Sequence, residues 1–445
     1  TAWSSRTNME RVFVLAAEYS SRPEALLADP ETDLRVGRVY ADAGPDWERE
    51  STRSFFRYPR SSSAWRELGR SHPVGLGDLL ASASHRALCA LGARLGSQDA
   101  ATGAIADLMV TTMPGIAPDE PMSPAMLPQT LRALLDLPQD CRCQLVVGTS
   151  DSGAWAFANA VRTARARPTT LLVTAGQLIP PGYAAQQRIR TVLGTRDQAA
   201  GLDMLAVGDL LLDVLRRANG GSVAELSAAI SLIRRAKLSA SARYPAALRS
   251  GDPLEDGVQL TPFFTSVDVA PACCGAAAVI VTSDLALVER VLGGPATERF
   301  RAVAAVEVLG VGEGVANPDL THRRSPMAYL APMRQALTNA SADAGIPIDA
   351  FQRAAFAILH DAFPSIELGF LLAMGLDWEP ALARMAGTWS NPYGGLLGFG
   401  HALGASGLVQ ISKAFHILTG DRRYVPHDED TGFPGDGALA LTSSV

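Results

Sequence analysis

Residues 391–407 read NPYGGLLGFGHALGASG, and this stretch is the most informative part of the chain. Six of its seventeen residues are glycine, and its one histidine is His401. Glycine at this density costs conformational entropy, so the backbone there must approach a ligand or another segment closely. Because an apolar run at 408–418 predicts a helix directly after the glycine loop, His401 is a candidate for proton transfer near neutral pH. The alternative is a structural histidine in a glycine-rich turn.

The spacing within this stretch resembles a signature of the thiolase superfamily, N-x-x-G-G-x-x-x-x-G-H-P-x-G-x-S-G. The matching positions are Asn391, Gly394, Gly395, Gly400, His401, Gly404, Ser406 and Gly407. Ala402 stands where the family usually has proline. The resemblance implies an α/β protein with the internally duplicated, five-layer αβαβα fold. It also implies three further features: an upstream nucleophile, a second polar motif and a C-terminal glycine strand.

The composition fits a large α/β protein and argues against several classes of partner. The chain has 445 residues, 47% of them hydrophobic, and a formal net charge of −6. It has no basic block that would bind nucleic acid and no apolar run long enough for a membrane helix. Residues 1–11 lack the apolar core of a signal peptide. Lys237 and Lys413 are the only lysines, which leaves few candidates for Schiff-base chemistry.

The five cysteines indicate a reducing environment. Their number is odd, and the pairs Cys141/Cys143 and Cys273/Cys274 are too close in sequence for ordinary disulfide bonds, so we expect a cytoplasmic protein. No second Cys/His pair lies at zinc spacing from Cys141 and Cys143, so we expect no metal. Both pairs are interpreted as small apolar residues near strands.

The order of apolar segments predicts two successive halves built from βαβ units. In the first half, strands are predicted at 11–17, 105–112, 144–147, 169–175 and 276–281, with helices at 75–95, 125–137 and 154–167. In the second half, strands are predicted at 302–309, 354–359 and 438–441, with helices at 327–344, 365–374 and 408–418.

Two segments interrupt this alternation. Residues 180–261 carry helical segments without a clear strand, which predicts an inserted helical subdomain. Residues 18–65 are rich in charge and proline and indicate an irregular excursion. We therefore expect one thiolase-like half at 1–290, including the insertion, and the other at 291–445.

The sequence Ser150-Asp151-Ser152-Gly153 joins a predicted strand to a predicted helix. A helix N-terminus favours negative charge through its dipole and free N–H groups. Thiolases place the reactive cysteine of a C-x-S-G motif here, so the resemblance implies that Ser150 takes the place of the nucleophile. A serine needs an adjacent base, and because acyl-serine is an ester, acyl transfer onto it from a thioester is downhill. The alternative is that Ser150 only caps the helix.

Three further stretches resemble thiolase motifs. Residues 359–365, LHDAFPS, resemble the H-D-C-F-S motif of the sterol-carrier-protein type, with Ala362 replacing cysteine, which implies that His360 polarises a thioester carbonyl or orients water. Residues 270–284 resemble the D-G-A-A-A-V strand, with Cys274 replacing a structural aspartate. Residues 432–438, GFPGDGA, stand where the C-x-G-G motif should be and contain no cysteine, which argues against ordinary thiolase activity.

The sequence therefore predicts an acyltransferase that moves an acyl group from a coenzyme A or carrier-protein thioester through Ser150 to a small-molecule acceptor, in polyketide-like specialised metabolism. His401 is the expected general base, His360 orients the second substrate, and N–H groups of Ser150 and of the 435–437 loop bind the oxyanion. No cofactor is expected besides the thioester substrate. The alternatives are a decarboxylative ketosynthase, a catalytically silent partner subunit and a retro-aldolase. The resemblance also implies a homodimer that pairs edge strands, with 169–175 as the candidate strand.

Overall fold

The computed structural model describes residues 11–20, 76–113, 124–177, 193, 195–243, 257–294, 305–316, 326–420 and 439–444. Most of the excursion predicted at 18–65 and the whole 432–438 glycine segment lie outside these ranges. Within them, no helix is long and apolar enough to cross a membrane.

The first sheet has six described strands in the order β3-β2-β4-β5-β1-β6. They are β1 (Phe13–Ser20), β2 (Asp107–Thr112), β3 (Arg142–Val147), β4 (Thr170–Gln177), β5 (Gly275–Thr282) and β6 (Val306–Glu307). β2 pairs in parallel with β3 and β4, and β5 runs antiparallel to β4 and β1. Every residue of β2, β4 and β5 is buried, as expected for central strands covered on both faces.

The position of β4 shows that one prediction was wrong. Residues 169–175 do form a strand, but β2 and β5 already occupy both of its edges, so it has no free edge to offer to a second subunit. The absence of charged side chains from this strand reflects burial of both of its faces. Among the described strands of this sheet, β3 lies at the edge next to β2, and its residues are partly to fully exposed.

Helices cover both faces of this sheet. The first four are α1 (Leu76–Leu95), α2 (Gln98–Gly103), α3 (Leu127–Leu134) and α4 (Ser152–Ala166). α1 and α3 pack on one face in a cluster that includes Leu80, Leu88 and Leu131. α4 packs on the other face, where Ala160 and Val161 belong to a separate cluster. The sheet therefore separates two apolar cores.

The described part of residues 180–261 contains three helices, α5 (Thr195–Ala199), α6 (Met204–Ala218) and α7 (Val223–Ser241). Ser222 and Glu225 form a reciprocal capping box at the start of α7. The apolar faces of α6 and α7 join a cluster with residues of the second half, including Leu330 and Leu371. The helices of this segment therefore pack on the second half of the chain.

The remaining chain builds the second half. The helix α8 (Leu285–Leu292) connects the two halves. The elements that follow it are α9 (Pro326–Ala344), α10 (Ile348–Phe351), β7 (Phe356–Ile358), α11 (Pro364–Ala373), α12 (Trp378–Ala386), α13 (Gly395–Phe399), α14 (Ser406–Thr419) and β8 (Ala440–Thr442). β7 and β8 pair in parallel. α14 lies between the two sheets, because Leu408 packs in the core under the first sheet while Ala414 and Ile417 pack on β7.

Candidate active site

His401 is fixed at both its backbone and its ring. Its N–H donates to Pro271 O at 2.7 Å, and its carbonyl accepts from Cys273 N at 3.1 Å, so it is tied to the chain just before β5. Its Nδ1 lies 2.8 Å from the hydroxyl oxygen of Ser406, the first residue of α14. The ring orientation is therefore set by the same signature stretch that carries the histidine, and Nε2 remains for chemistry.

His360 follows β7 and is buried beside His401. Its N–H donates to Ser443 Oγ at 3.2 Å, and the preceding Leu359 N–H donates to Asn391 Oδ1 at 3.0 Å. The two imidazole rings meet edge to face, with centroids 5.0 Å apart and planes at 86°. The structure thus brings together two predicted site residues that are 41 positions apart in sequence.

Burial keeps both histidines neutral near pH 7. It lowers the pKa of His360 to about 4. It also lowers the pKa of His401 well below its usual value, with a smaller contribution from His360 and an opposing one from Asp361. Desolvation disfavours the charged imidazolium, so both rings are available as proton acceptors.

Ser150 lies, half-buried, in the turn that enters α4. Asp151 occupies the N-cap position of that helix, so Ser150 precedes the cap and the capping alternative does not describe its position. Two residues further on, Ser152 Oγ donates to Gly404 O at 3.2 Å. The turn that carries Ser150 is therefore anchored to the stretch that carries His401.

Two glycines show why the signature stretch is glycine-rich. A Cβ on Gly407 would lie 2.5 Å from Ala154 N, so the first turns of α14 and α4 touch backbone to backbone. Gly395 has φ +60°, and a Cβ there would lie 2.0 Å from a carboxylate oxygen of Asp361. These close approaches hold the Ser150 turn and the His360 loop against the stretch.

A buried polar network supports the His360 loop. Asp361 Oδ1 accepts from Leu396 N at 2.8 Å, and its Oδ2 accepts from Lys237 Nζ at 2.9 Å. Lys237 also donates to Glu367 at 2.5 Å, and Glu367 accepts from Ser390 Oγ at 2.5 Å. The network ties α7 to the residue after His360, and sequence reasoning missed it.

Sequence reasoning also missed Gln410 and Lys413 on α14. Both are buried, 3% and 6% exposed, on a helix that is otherwise apolar apart from small polar residues and His416. The available signal was their spacing, four and seven residues after Ser406. The predicted second oxyanion donor at 435–437 lies outside the described residues. Within the described part, no three His, Cys, Asp or Glu side chains are grouped to hold a metal ion.

Comparison with known proteins gives different results for the sequence and for the structure. The sequence matches no family model and no curated protein. The structure is similar to a monomeric SCP2-thiolase-like protein type 1 from Mycobacterium smegmatis, with a TM-score of 0.62 and 16% identity over 98% of this chain and 75% of that one. It is similar to human mitochondrial 3-ketoacyl-CoA thiolase, with a TM-score of 0.57 and 16% identity over 93% and 92%. It is also similar to an Ltp2–ChsH2(DUF35) aldolase, with a TM-score of 0.60 and 13% identity over 94% and 92%.

These similarities confirm the fold class. The chain is a mixed α/β protein with the thiolase fold, as the glycine-rich signature predicted.

Proposed function

We propose that the protein is an acyltransferase that moves an acyl group from a coenzyme A or carrier-protein thioester through an ester on Ser150. The observation that carries the proposal is the pair of neutral histidines in edge-to-face contact, with the Ser150 turn anchored to Gly404 three residues after His401. This arrangement supplies a hydroxyl nucleophile, a base and a polarising group from three separate segments of the chain.

The first step forms the ester. Ser150 Oγ attacks the thioester carbonyl carbon while His401 Nε2 accepts the hydroxyl proton. Nδ1–H of His401 donates to Ser406 Oγ in this tautomer, which leaves Nε2 unprotonated. The tetrahedral oxyanion is stabilised at the N-terminus of α4, and its collapse releases the thiol with the proton from His401. The N–H groups of the 435–437 loop are proposed as the second oxyanion donor.

The second step transfers the acyl group to a small-molecule alcohol or amine. An acyl ester is less energetic than a thioester, so return to a thiol is uphill and an oxygen or nitrogen acceptor is favoured. His401 takes the acceptor's proton and returns it to Ser150 Oγ. His360 orients the acceptor. Specialised, polyketide-like metabolism is the proposed setting, and an acyl carrier protein is the proposed macromolecular donor.

The direct test is mass spectrometry after incubation with acetyl-CoA, malonyl-CoA and an acylated carrier protein. We expect an acyl mass increment on the peptide that contains Ser150. If none of these donors labels the peptide, the proposed mechanism is wrong. Release of carbon dioxide from malonyl-CoA, with a new carbon–carbon bond in the product, would instead support the decarboxylative ketosynthase alternative, which the same two neutral histidines would serve.

The pH dependence of ester formation follows from the lowered pKa of His401. A base must be unprotonated, and a free histidine titrates at about pH 6.5. Because burial lowers the pKa of His401 below that value, the rate of Ser150 acylation should stay level from pH 8 down past pH 6.5 and decline only in more acidic buffer. The check is the initial rate of adduct formation followed by intact-protein mass at each pH. A half-maximal rate at or above pH 6.5 would contradict the assignment of His401.

We also propose a homodimer, with the edge strand β3 rather than β4 as the pairing strand. This edge strand ends at Val147, which is 49% exposed, and Trp155 on the following helix is 44% exposed. Light scattering at micromolar concentration should give about twice the chain mass of 46.9 kDa. Val147→Asp should reduce the measured mass to that of a monomer, because it places a charge on the pairing edge.

A matched control for the dimer is Val315→Asp, since Val315 is a valine 84% exposed on the loop after β6, the described strand at the opposite end of the sheet from β3. It should leave the oligomeric state unchanged. A wild-type monomer, or equal effects of the two substitutions, would count against pairing through β3.

A further inference from the structure

One face of α14 carries more polar side chains than the proposed acyl transfer requires. Ser406, Gln410 and Lys413 are four and three residues apart, so their side chains form a row along one side of the helix. Ser406 contacts His401, and the amide of Gln410 lies close enough to His360 to oppose the lowering of its pKa. Lys413 continues the row away from Ser406.

The amine of Lys413 rests on aromatic rings. Its Nζ lies 3.4 Å from the ring centroid of Phe399 and 5.6 Å from that of Tyr19. Within the part of the chain that the structure describes, it makes no hydrogen bond or ion pair. The titratable groups around it are Tyr19, Cys273 and Asp361. An amine buried in this way is held against aromatic faces, and this cation–π contact favours its charged form and opposes the effect of burial.

Lys237 shows the opposite arrangement. It donates to both Asp361 and Glu367, and these carboxylates outweigh burial and raise its pKa. Burial dominates at Lys413 and lowers its pKa to about 7, with Asp361 and Cys273 opposing. The chain thus holds one lysine fixed as a cation and one whose unprotonated, nucleophilic form is accessible near neutral pH.

Gln410 adds a recognition group beside this amine. Its side chain is 3% exposed, and apart from its contact with His360 its amide has no well-aligned hydrogen-bond partner among the described residues. Buried polar atoms in native proteins are nearly always paired, so the hydrogen-bonding capacity of this amide that His360 does not use is available to a ligand in the site. An amide offers both a donor and an acceptor, which suits a carbonyl with a neighbouring hydroxyl.

We propose that Lys413 is a carbonyl-reactive residue that forms an imine with a small ketone or β-hydroxy ketone, with Gln410 hydrogen-bonded to the substrate. The amine nitrogen attacks the carbonyl carbon, and the carbinolamine loses water to give the imine. This chemistry goes beyond acyl transfer and does not depend on Ser150.

The protonated imine defines the class of reaction. It accepts the electron pair when the bond between the α and β carbons breaks, while a neutral histidine takes the proton from the β-hydroxyl. An aldehyde leaves, the enamine gains a proton at its α carbon, and water hydrolyses the resulting imine to release the shortened ketone and the amine. This is a retro-aldol cleavage, and it needs no oxidant or metal because every proton and electron pair is accounted for.

The test uses acetone as the carbonyl probe and sodium cyanoborohydride to reduce the imine to a stable N-isopropyl group. At pH 7.5 in folded protein we expect the modification on the Lys413 peptide at least about 10-fold faster than on the Lys237 peptide, since a lysine of usual pKa is almost entirely protonated there. The rate at Lys413 should be half-maximal near pH 7, as its lowered pKa requires. Ser150→Ala should be modified at the same rate as wild type, so failure of this proposal and failure of the acyl-enzyme are distinguishable.

Two controls keep the outcome clear. Lys413→Met should lose the modification at that peptide, and chain unfolded in urea should react at both lysines with similar rates. If the folded wild-type protein reacts at Lys413 no faster than the unfolded chain at pH 7.5, the proposal is overturned. This comparison needs only wild-type protein, so it holds even if Lys413→Met does not fold.

Discussion

Ser150→Ala is expected to abolish the covalent acyl adduct and to lower turnover by at least about 10⁴-fold, as removal of a nucleophile does in other acyl-enzymes. The fold should survive, because the N-cap of α4 is Asp151 and the anchoring bond to Gly404 is made by Ser152. The loss of stability should therefore stay below the roughly 1 kcal/mol typical of a lost cap. Intact mass, turnover and urea denaturation measure the three quantities.

A matched control is Ser222→Ala, since Ser222 accepts from Glu225 N and does cap α7. It should lower stability by about 1 kcal/mol and leave the Ser150 adduct in place. Similar results for the two variants, with the adduct retained in both, would show that Ser150 is not a nucleophile.

Ser150→Cys tests the same assignment in the opposite direction. Cysteine is the better nucleophile in the same positive field at the start of α4, so acylation should be at least as fast as in wild type. A folded cysteine variant that no thioester acylates would show that the pocket does not accept thioesters, and the silent-partner alternative would then be favoured.

The features of this structure that could be predicted are those that depend on local sequence patterns. Periodicity placed β2, β4, β5 and α14 close to their observed bounds, because strand and helix periods are properties of short segments. Strand order is not local. The apolar run at 169–175 is compatible with a central strand and with an interface edge, and only the pairing with β2 and β5 decides between them.

The candidate site could be predicted where its residues belong to motifs of fixed spacing. His360 and His401 were identified from their motifs, and the structure brings them together. Lys237 could not be placed from sequence, because its partners, Asp361 and Glu367, are more than 120 residues away. A charged residue in a helical pattern indicates an exposed face by default, and burial against distant carboxylates reverses that expectation.

The buried network predicts the largest effect on stability. In Lys237→Met the side chain keeps a similar length but leaves Asp361 and Glu367 as two buried carboxylates without their cation. Removal of one partner from a buried ionic cluster typically costs about 3–5 kcal/mol, and we expect that loss in the free energy of unfolding measured in urea. Because Asp361 follows His360, acylation of Ser150 should also slow in the folded fraction.

The control and the pH dependence separate this network from an ordinary ion pair. Arg353→Met removes a surface pair with Asp349 in which both side chains are 67% exposed, so it should cost less than about 0.5 kcal/mol. In Lys237→Met, burial raises the pKa of Glu367 with no opposing cation, so the folded variant retains a proton that the unfolded chain releases at about pH 4.3. The stability of the variant should therefore fall as pH rises from 5 to 8, and adding Glu367→Gln should recover part of the loss at pH 8 because the amide carries no charge. A Lys237→Met loss no larger than that of Arg353→Met, or one that shrinks as pH rises, would contradict the role of the network.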